Sequence, residues 1–504
     1  MFKHKHYIAD GTYGKVYHVN YNNVDKCLKE YKTAIDNLGV TEDILKEIFH
    51  SSQIYSNISI SYVSENFKYI IMDLFNGDLY DYKKMYYTNS DLHLKNISEQ
   101  ILKQLYTLHS HGFIHSDIKM ANILFNKISS TFTLCDFGLC EYYGFPCIKK
   151  KYICTEYFRA PSLGINNNIN YDIYSLGATL YYYAGNKFCE IIDNTKISNN
   201  VIKVLINYNH EISAKKILDI NLFCEKKQKY LKKIVQKLHL KEENIINNNL
   251  KLNDNIFLNL TIKNNVYKSY QFNNENLFEL DYLDDMFITY QQREFTFVNN
   301  INDNLINDKI KLLKLHKHIN SHLDTLFFAW YLLDNVTYLN KLDSTDELSI
   351  FFNFSCKLLE FNNITKIELA TYSIIEVEYY LISKFLKKEL VFTPGMFYIY
   401  YFIYQIASQY SNQYYIEYRM LESIVLPIYI LYLLRPFKCN KKNTYIKLAY
   451  RIVLIAIDFI FKKKINDKWY KILKMTTSFL DDDIKLLIIE NNELRNYLSS
   501  THKE

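Results

Sequence analysis

The chain has 504 residues, 49% of them hydrophobic and 23% charged, with a net charge of +6 at neutral pH. That balance excludes wholesale disorder, and so slight a charge on 60.3 kDa does not by itself imply nucleic-acid binding. The length exceeds one ordinary domain, and 11 glycines with 5 prolines are too few for a β-sandwich or a Pro-rich linker protein, so two or three domains rich in long helices are expected.

In chain order, residues 6–17 and 24–31 alternate as strands do, 42–55 has helical periodicity, and 69–74 returns to an apolar strand-like run. That order predicts a small sheet with one helix packed on it. Helical periodicity prevails after Ser98. From Glu242 to Asn276 the chain becomes Asn-rich, which predicts an interdomain connection, and residues beyond about 285 read as successive amphipathic or buried helices. The 47 tyrosines and 32 phenylalanines match AT-rich codons, as in a large DNA virus or a protist, and say little about chemistry.

Nine cysteines without a CxxC pair suggest neither a disulfide framework nor a zinc site. Cys135, Cys140, Cys147 and Cys154 read as small apolar residues, and His4 with His6 as a solvated end. The N-terminus has no apolar signal core, and the apolar stretches 396–406 and 424–434 fall short of a bilayer span. A soluble intracellular protein, cytoplasmic or nuclear, is expected, with no nucleic-acid or membrane partner.

Chemistry is concentrated in the first half. In Ile8-Ala9-Asp10-Gly11-Thr12-Tyr13-Gly14-Lys15-Val16, small residues between two strands let backbone N–H groups approach phosphate oxygens. A glycine-containing hairpin would look the same. Lys29 follows on a strand that could aim its ammonium at phosphates, and Glu47 on the helical run is its natural partner; taken alone, such a pair is a surface coincidence. The specific signal is His115-Ser116-Asp117-Ile118-Lys119-Met120-Ala121-Asn122 followed by Asp136-Phe137-Gly138. In-line phosphoryl transfer needs a carboxylate near the attacking hydroxyl, a cation near the γ-phosphate and oxygen ligands for Mg²⁺. Asp117, Lys119, Asn122 and Asp136 supply these. Asp117 alone could cap a helix and Asp136 could begin a turn, but the joint order and spacing are poorly explained by chance.

With these motifs, residues 1–245 resemble a eukaryotic protein kinase, and Lys119 and Thr155 resemble the Ser/Thr class. Asp172 with Ser175-Leu176-Gly177 resembles the start of the long buried helix of the large lobe. Gly11-Thr12-Tyr13-Gly14-Lys15-Val16-Tyr17 and Gly39 to Ile48 are similar to the glycine loop and cyclin-facing helix of cyclin-dependent kinases. The resemblance implies an ATP and Mg²⁺ site: Asp117 and Lys119 catalytic, Asn122 and Asp136 on the metal, and Lys29 with Glu47 orienting the triphosphate. It further implies that Ile8, Ala9, Gly11, Thr12, Tyr13, Gly14, Val16 and Leu124 hold the nucleotide. Met72 would be the gatekeeper, Asp73 to Phe75 the hinge facing adenine, and Asp78 the pocket rim. Thr12 and Tyr13 match inhibitory phosphorylation sites.

Several departures form a set. Ser116, Lys46 and Glu141 stand where the family has three arginines that hold a phosphothreonine, and residues 147–152 offer no Ser or Thr to phosphorylate. We expect Lys150 to replace that link by pairing with Glu141, although such a pair could equally be a solvated surface contact. Ser162 removes a glutamate and Ala9 a glycine; no catalytic group is lost.

Residues 286–504 read as a helical bundle. Leu323 to Asp334 also resembles the second helix of a cyclin box, Lys357 and Glu378 its lysine and acidic partner, and Leu390 to Pro394 the link to a second repeat. Trp469 to Leu473 with Asp481 to Asp483 looks like the end of that repeat. Trp330 and Trp469 are expected in the core, and Lys357 with Glu378 could also be an unrelated surface pair. The expected fold is therefore an α+β bilobal kinase fold (1–245), an Asn-rich connection (246–285) and an all-α two-repeat cyclin-like domain (286–504). A flexible connection of about 40 residues spans roughly 35 Å, holding the two halves at an effective concentration on the order of millimolar. The expected function is a Ser/Thr protein kinase acting on protein substrates and held active by its own cyclin-like partner. The alternative is a catalytically weak scaffold that recruits another kinase or a cell-cycle protein through the helical half.

Overall fold

The computed structural model describes residues 3–11, 13–53, 58–86, 91–142, 156–158, 170–187, 197–206, 303–319, 321–336, 344–359 and 371–390, with isolated positions between and beyond them. The chain divides into two compact units, Met1–Tyr282 with Tyr379–Leu386, and Leu283–Glu378 with Lys387–Glu504.

In the first unit β1 (Lys3–Asp10), β2 (Gly14–Tyr21) and β3 (Val24–Tyr31) form antiparallel hairpins. Asn22 and Asn23 make the β2–β3 turn, both at positive φ, a conformation their short polar side chains tolerate and a two-residue hairpin requires. A two-strand ribbon, β4 (Ile35–Asp36) with β5 (Gly39–Val40), leads into helix α1 (Glu42–Gln53). Glu42 and Asp43 favour the start of α1 by facing its dipole, and its residues from Ile44 to Ser51 are buried. Strands β6 (Ile60–Val63) and β7 (Tyr69–Asp73) complete a five-stranded sheet ordered β1-β2-β3-β7-β6, in which Val19, Leu28 and Ile71 pack with no exposure.

The 6–17 run is thus two strands interrupted at the glycine loop, and β6 was not legible as a separate element. Nor do helices take over directly after Ser98. Beyond β8 (Gly77–Asp78), α2 (Leu79–Tyr86) and α3 (Asp91–Ser110), four short strands intervene: β9 (Phe113–Ile114), β10 (Ile123–Asn126), β11 (Thr131–Leu134) and β12 (Glu141–Tyr142). Strands of two to four residues carry too little periodicity to read, and β9 pairs with β12 and β8 with β10 across long loops. Gln104 of α3 binds them down, its amide donating to Phe132 O at 2.7 Å and accepting from Leu134 N at 2.9 Å. Helix α4 (Asn170–Tyr183) is buried on nearly every side, its polar residues Asp172, Ser175 and Thr179 each hydrogen-bonded within the interior, and α5 (Asn200–Ile206) packs beside it.

In the second unit the described helices are α6 (Asp303–Ile319), α7 (Leu323–Asn335), α8 (Ser344–Leu359) and the first part of α9 (Thr371–Leu386). Trp330 is buried and donates its indole N–H to Lys309 O at 3.1 Å, while Lys309 pairs with Asp334 at 2.8 Å. Lys357 and Glu378 form a buried ion pair at 2.7 Å rather than a surface contact. The last turns of α9, Tyr379–Leu386, belong to the first unit. There Phe385 meets Phe49 of α1 edge-on at 5.2 Å, and Tyr379 meets Phe67 edge-on at 5.8 Å. No helix among the described residues is long and apolar enough to cross a membrane. The Asn-rich connection, the stretches 396–406 and 424–434 taken as whole helices, Trp469 and Asp481 to Asp483 lie outside the described residues.

Glu347 of α8 is 1% exposed, and among the described residues neither of its carboxylate oxygens has a hydrogen-bond partner. Burial, and secondarily the charge of Asp308, push its carboxyl up to about 7 from an ordinary 4.5. The folded chain therefore holds this proton more tightly than the unfolded one. The resulting stabilisation is complete below pH 4.5 and is lost as pH rises through about 7. Glu347→Gln should accordingly stabilise the protein by roughly 1–3 kcal/mol at pH 8. At pH 5 thermal unfolding should show almost no difference, whereas an equal shift at both pH values would assign the effect to packing.

Candidate active site

Strand β3 places Lys29 opposite Val16 of β2 and Ile70 of β7. From there its ammonium reaches α1, bonding both carboxylate oxygens of Glu47 at 2.8 and 2.6 Å, and lies 3.5 Å from Asp136. Burial alone would push the Lys29 ammonium down, but Glu47 and Asp136 outweigh it and hold the group above its ordinary value. Burial pushes the Glu47 carboxyl up, against the opposing pull of Lys29 and of the Tyr31 hydroxyl, which donates to it at 2.6 Å. Asp136 adopts the left-handed conformation at φ 64°, and Gly138 lies against α1 so closely that an added Cβ would stand 3.2 Å from Asp43 O. Helix α1 therefore rests directly on the Asp136-Phe137-Gly138 turn.

The loop after β9 holds the second group. Asp172 of α4, 1% exposed, accepts from the backbone N–H of His115 at 2.8 Å and of Ser116 at 3.0 Å, and pairs with His109 Nε2 at 2.8 Å. This fixes Ser116 at φ 67° and turns Asp117 inward. Lys119 Nζ then donates to Asp117 Oδ2 at 2.6 Å, and the Asn122 amide nitrogen donates to Asp117 O and Oδ2 at 2.8 and 3.0 Å. His115 reaches Cys135 O at 3.1 Å and packs on Phe137 at 5.2 Å, tying this loop to Asp136.

The glycine loop closes by a Gly11 N–H bond to Gly14 O at 2.8 Å and is tethered by Lys32, which bonds Gly11 O at 2.9 Å and Asp10 at 2.7 Å. Gly14 is required because a Cβ there would lie 2.4 Å from Glu30 O. Tyr13 reaches into the cleft: burial, then the carboxylates of Asp136, Asp43 and Asp117, raise its phenol. Ala9 pairs with Val16 across β1–β2, beside an exposed Ile8. Thr12 lies outside the described residues.

Met72 sits in β7 opposite Cys27 of β3. Asp73 turns its carboxylate away from the strand ladder, pairing with Lys26 at 2.7 Å and accepting from Ser59 N at 2.9 Å. Phe75 and Asp73 line a cavity of about 530 Å³ together with Lys26, Gln104 and Thr133. Asp78 is opposite Leu124 of β10 and accepts from Asp81 N at 2.9 Å, so its carboxylate caps the start of α2; burial raises it. The structure thus gathers Lys29, Glu47 and Asp136 into one cluster and Asp117, Lys119 and Asn122 into a second, joined through Cys135, whose backbone bonds His115 and Asn122; Tyr13 lies near the carboxylates of both, and Asp73 faces elsewhere. Sequence reasoning missed Tyr31. The signal was present, since Tyr31 follows Lys29 by two residues and so shares its strand face. Lys46 is buried and pairs with Glu42, and Glu141 is buried in β12. Lys150, Cys154, Thr155 and Ser162 lie outside the described residues.

A cationic clamp, a buried carboxylate beside a lysine and two oxygen donors are the kinds of group that phosphoryl transfer uses. Residues 2–244 match the family described as the protein kinase domain. Relatives include a Ser/Thr-protein kinase 1 of Heliothis zea nuclear polyhedrosis virus, 24% identical over 34% of this chain and 65% of its own length. Mitogen-activated protein kinase 7 of Arabidopsis thaliana is 29% identical over 38% of this chain and 51% of its own. A cyclin-dependent kinase 4 homolog of Caenorhabditis elegans is 27% identical over 34% and 46%. The chain spans less than two-thirds of the length of these relatives. Residues 2–244 are thus similar to protein kinase domains, and the relatives of that half include a Ser/Thr-protein kinase and a cyclin-dependent kinase homolog.

Proposed function

We propose that the chain is an intracellular ATP-dependent Ser/Thr protein kinase, resembling a cyclin-dependent kinase, and that its own helical C-terminal half holds it active. The observation that carries the catalytic reading is Lys29 bridging Glu47 and Asp136 while Asp117 is held by Lys119 and Asn122. Asp117 would accept a hydrogen bond from the substrate hydroxyl and aim it at the γ-phosphorus, and Lys119 would face the transferred phosphoryl oxygens. The donor set fits Mg²⁺: Asp136 offers a carboxylate, and the Asn122 amide nitrogen is committed to Asp117, which leaves its carbonyl oxygen to face a cation. A divalent ion bound there supplies neutralisation of phosphate charge.

The regulatory reading is supported by the Lys29–Glu47 pair, which is formed in a chain with no phosphorylatable residue between Cys147 and Lys151. It is also supported by Phe385 packed on Phe49 of the glutamate-bearing helix and by the buried Lys357–Glu378 pair at the positions of the cyclin-box resemblance. Incubation of the full chain with radiolabelled ATP and a Ser/Thr peptide library should give labelled peptides, and Phe385→Ala should lower kcat about tenfold or more by releasing α1. Full activity in Phe385→Ala would remove the regulatory reading. Absence of labelling by the unaltered protein would favour the scaffold.

A further inference from the structure

Glu47 is 6% exposed and carries the burden of positioning Lys29. One lysine does not exhaust the acceptor capacity of a buried carboxylate. A second donor among the described residues is the hydroxyl of Tyr31, itself 3% exposed, which reaches the same oxygen, Oε2, as Lys29. Lys29 and Tyr31 are alternate residues of β3, so both side chains leave the strand toward α1. The Lys29 ammonium also lies 5.2 Å from the centre of the Tyr31 ring, within range of cation–π attraction.

We propose that Tyr31 is a positioning residue for nucleotide binding, its hydroxyl locking Glu47 in the rotamer that holds Lys29 at the phosphates. The hydroxyl of Tyr31 is directed at Glu47. It acts through Glu47, supplying from within the sheet a restraint on α1 that requires no modified residue. The bond is strong because its acceptor is charged and out of water, and it forms only when α1 sits on the sheet.

The inference rests on the kinase reading, and the measurement separates the two. Tyr31→Phe in the full chain keeps the ring, its packing and the cation–π contact, and removes one oxygen. The KM for ATP should rise about tenfold while the KM for peptide stays within about twofold. Tyr31→Leu should show the same rise in KM for ATP together with a lower melting temperature. If Tyr31→Phe matches the unaltered protein and only Tyr31→Leu is impaired, the residue is packing alone and the inference fails. Equal rises in both KM values would also overturn it. A lack of activity in the unaltered protein would instead count against the kinase reading.

Discussion

Replacing Asp136 by Asn should cut phosphorylation by about 10³-fold or more while leaving the protein folded. Asp136 stands at φ 64°, a left-handed conformation that Asn tolerates, whereas Ala would add strain of about 1 kcal/mol. The substitution keeps the side-chain shape and removes the charge. Lys29 loses one of its two anionic neighbours but keeps both bonds to Glu47, so the clamp between β3 and α1 survives. What disappears is the carboxylate that both balances Lys29 and offers a hard oxygen to a divalent cation. Activity and stability should therefore separate, with labelling near background and a melting temperature within a few degrees of the unaltered protein. A variant that retains a tenth of the activity would show that Asp136 does not hold the metal.

The same contrast explains what could be read from the sequence. Asp117, Lys119, Asn122 and Asp136 were legible because they sit on two short loops whose spacing is set by local backbone geometry. Lys29 and Glu47 are 18 residues apart and were legible only as an ordered pair. For Tyr31 only the strand face shared with Lys29 was legible; that its hydroxyl ends on the carboxylate of Glu47 is set by the packing of α1 on the sheet. The first hairpin was predicted from alternation, although the break at Gly11 to Gly14 hid two strands in one run. Strands β9 to β12 escaped because their stability comes from partners far along the chain, and α4 was expected as a buried helix only through the resemblance carried by Asp172 and Ser175-Leu176-Gly177. Asp73, assigned to the adenine-facing hinge by register alone, ends β7 opposite Lys26 and directs its carboxylate to Lys26 and to the backbone N–H of Ser59.

Asp172→Asn should strongly destabilise the first unit, because Asp172 is 1% exposed and bound from three sides. Three donors converge on its two oxygens: His109 Nε2 and the backbone N–H groups of His115 and Ser116. An asparagine of the same size would set an NH₂ group against at least one of these donors and remove the charge that each bond depends on. Breaking such a buried network costs about 3–5 kcal/mol. For a unit of this size that corresponds to a fall in melting temperature of roughly 6–20 °C. The loss would fall on the loop that turns Asp117 toward Lys119, because Ser116 is held at positive φ by one of these bonds. Phosphorylation should fall along with stability, the opposite of the Asp136→Asn result, in which activity alone is lost. If Asp172→Asn melted within about 2 °C of the unaltered protein, the loop would have to be held by other contacts. The geometry that presents Asp117 would then originate in the loop itself and not in α4.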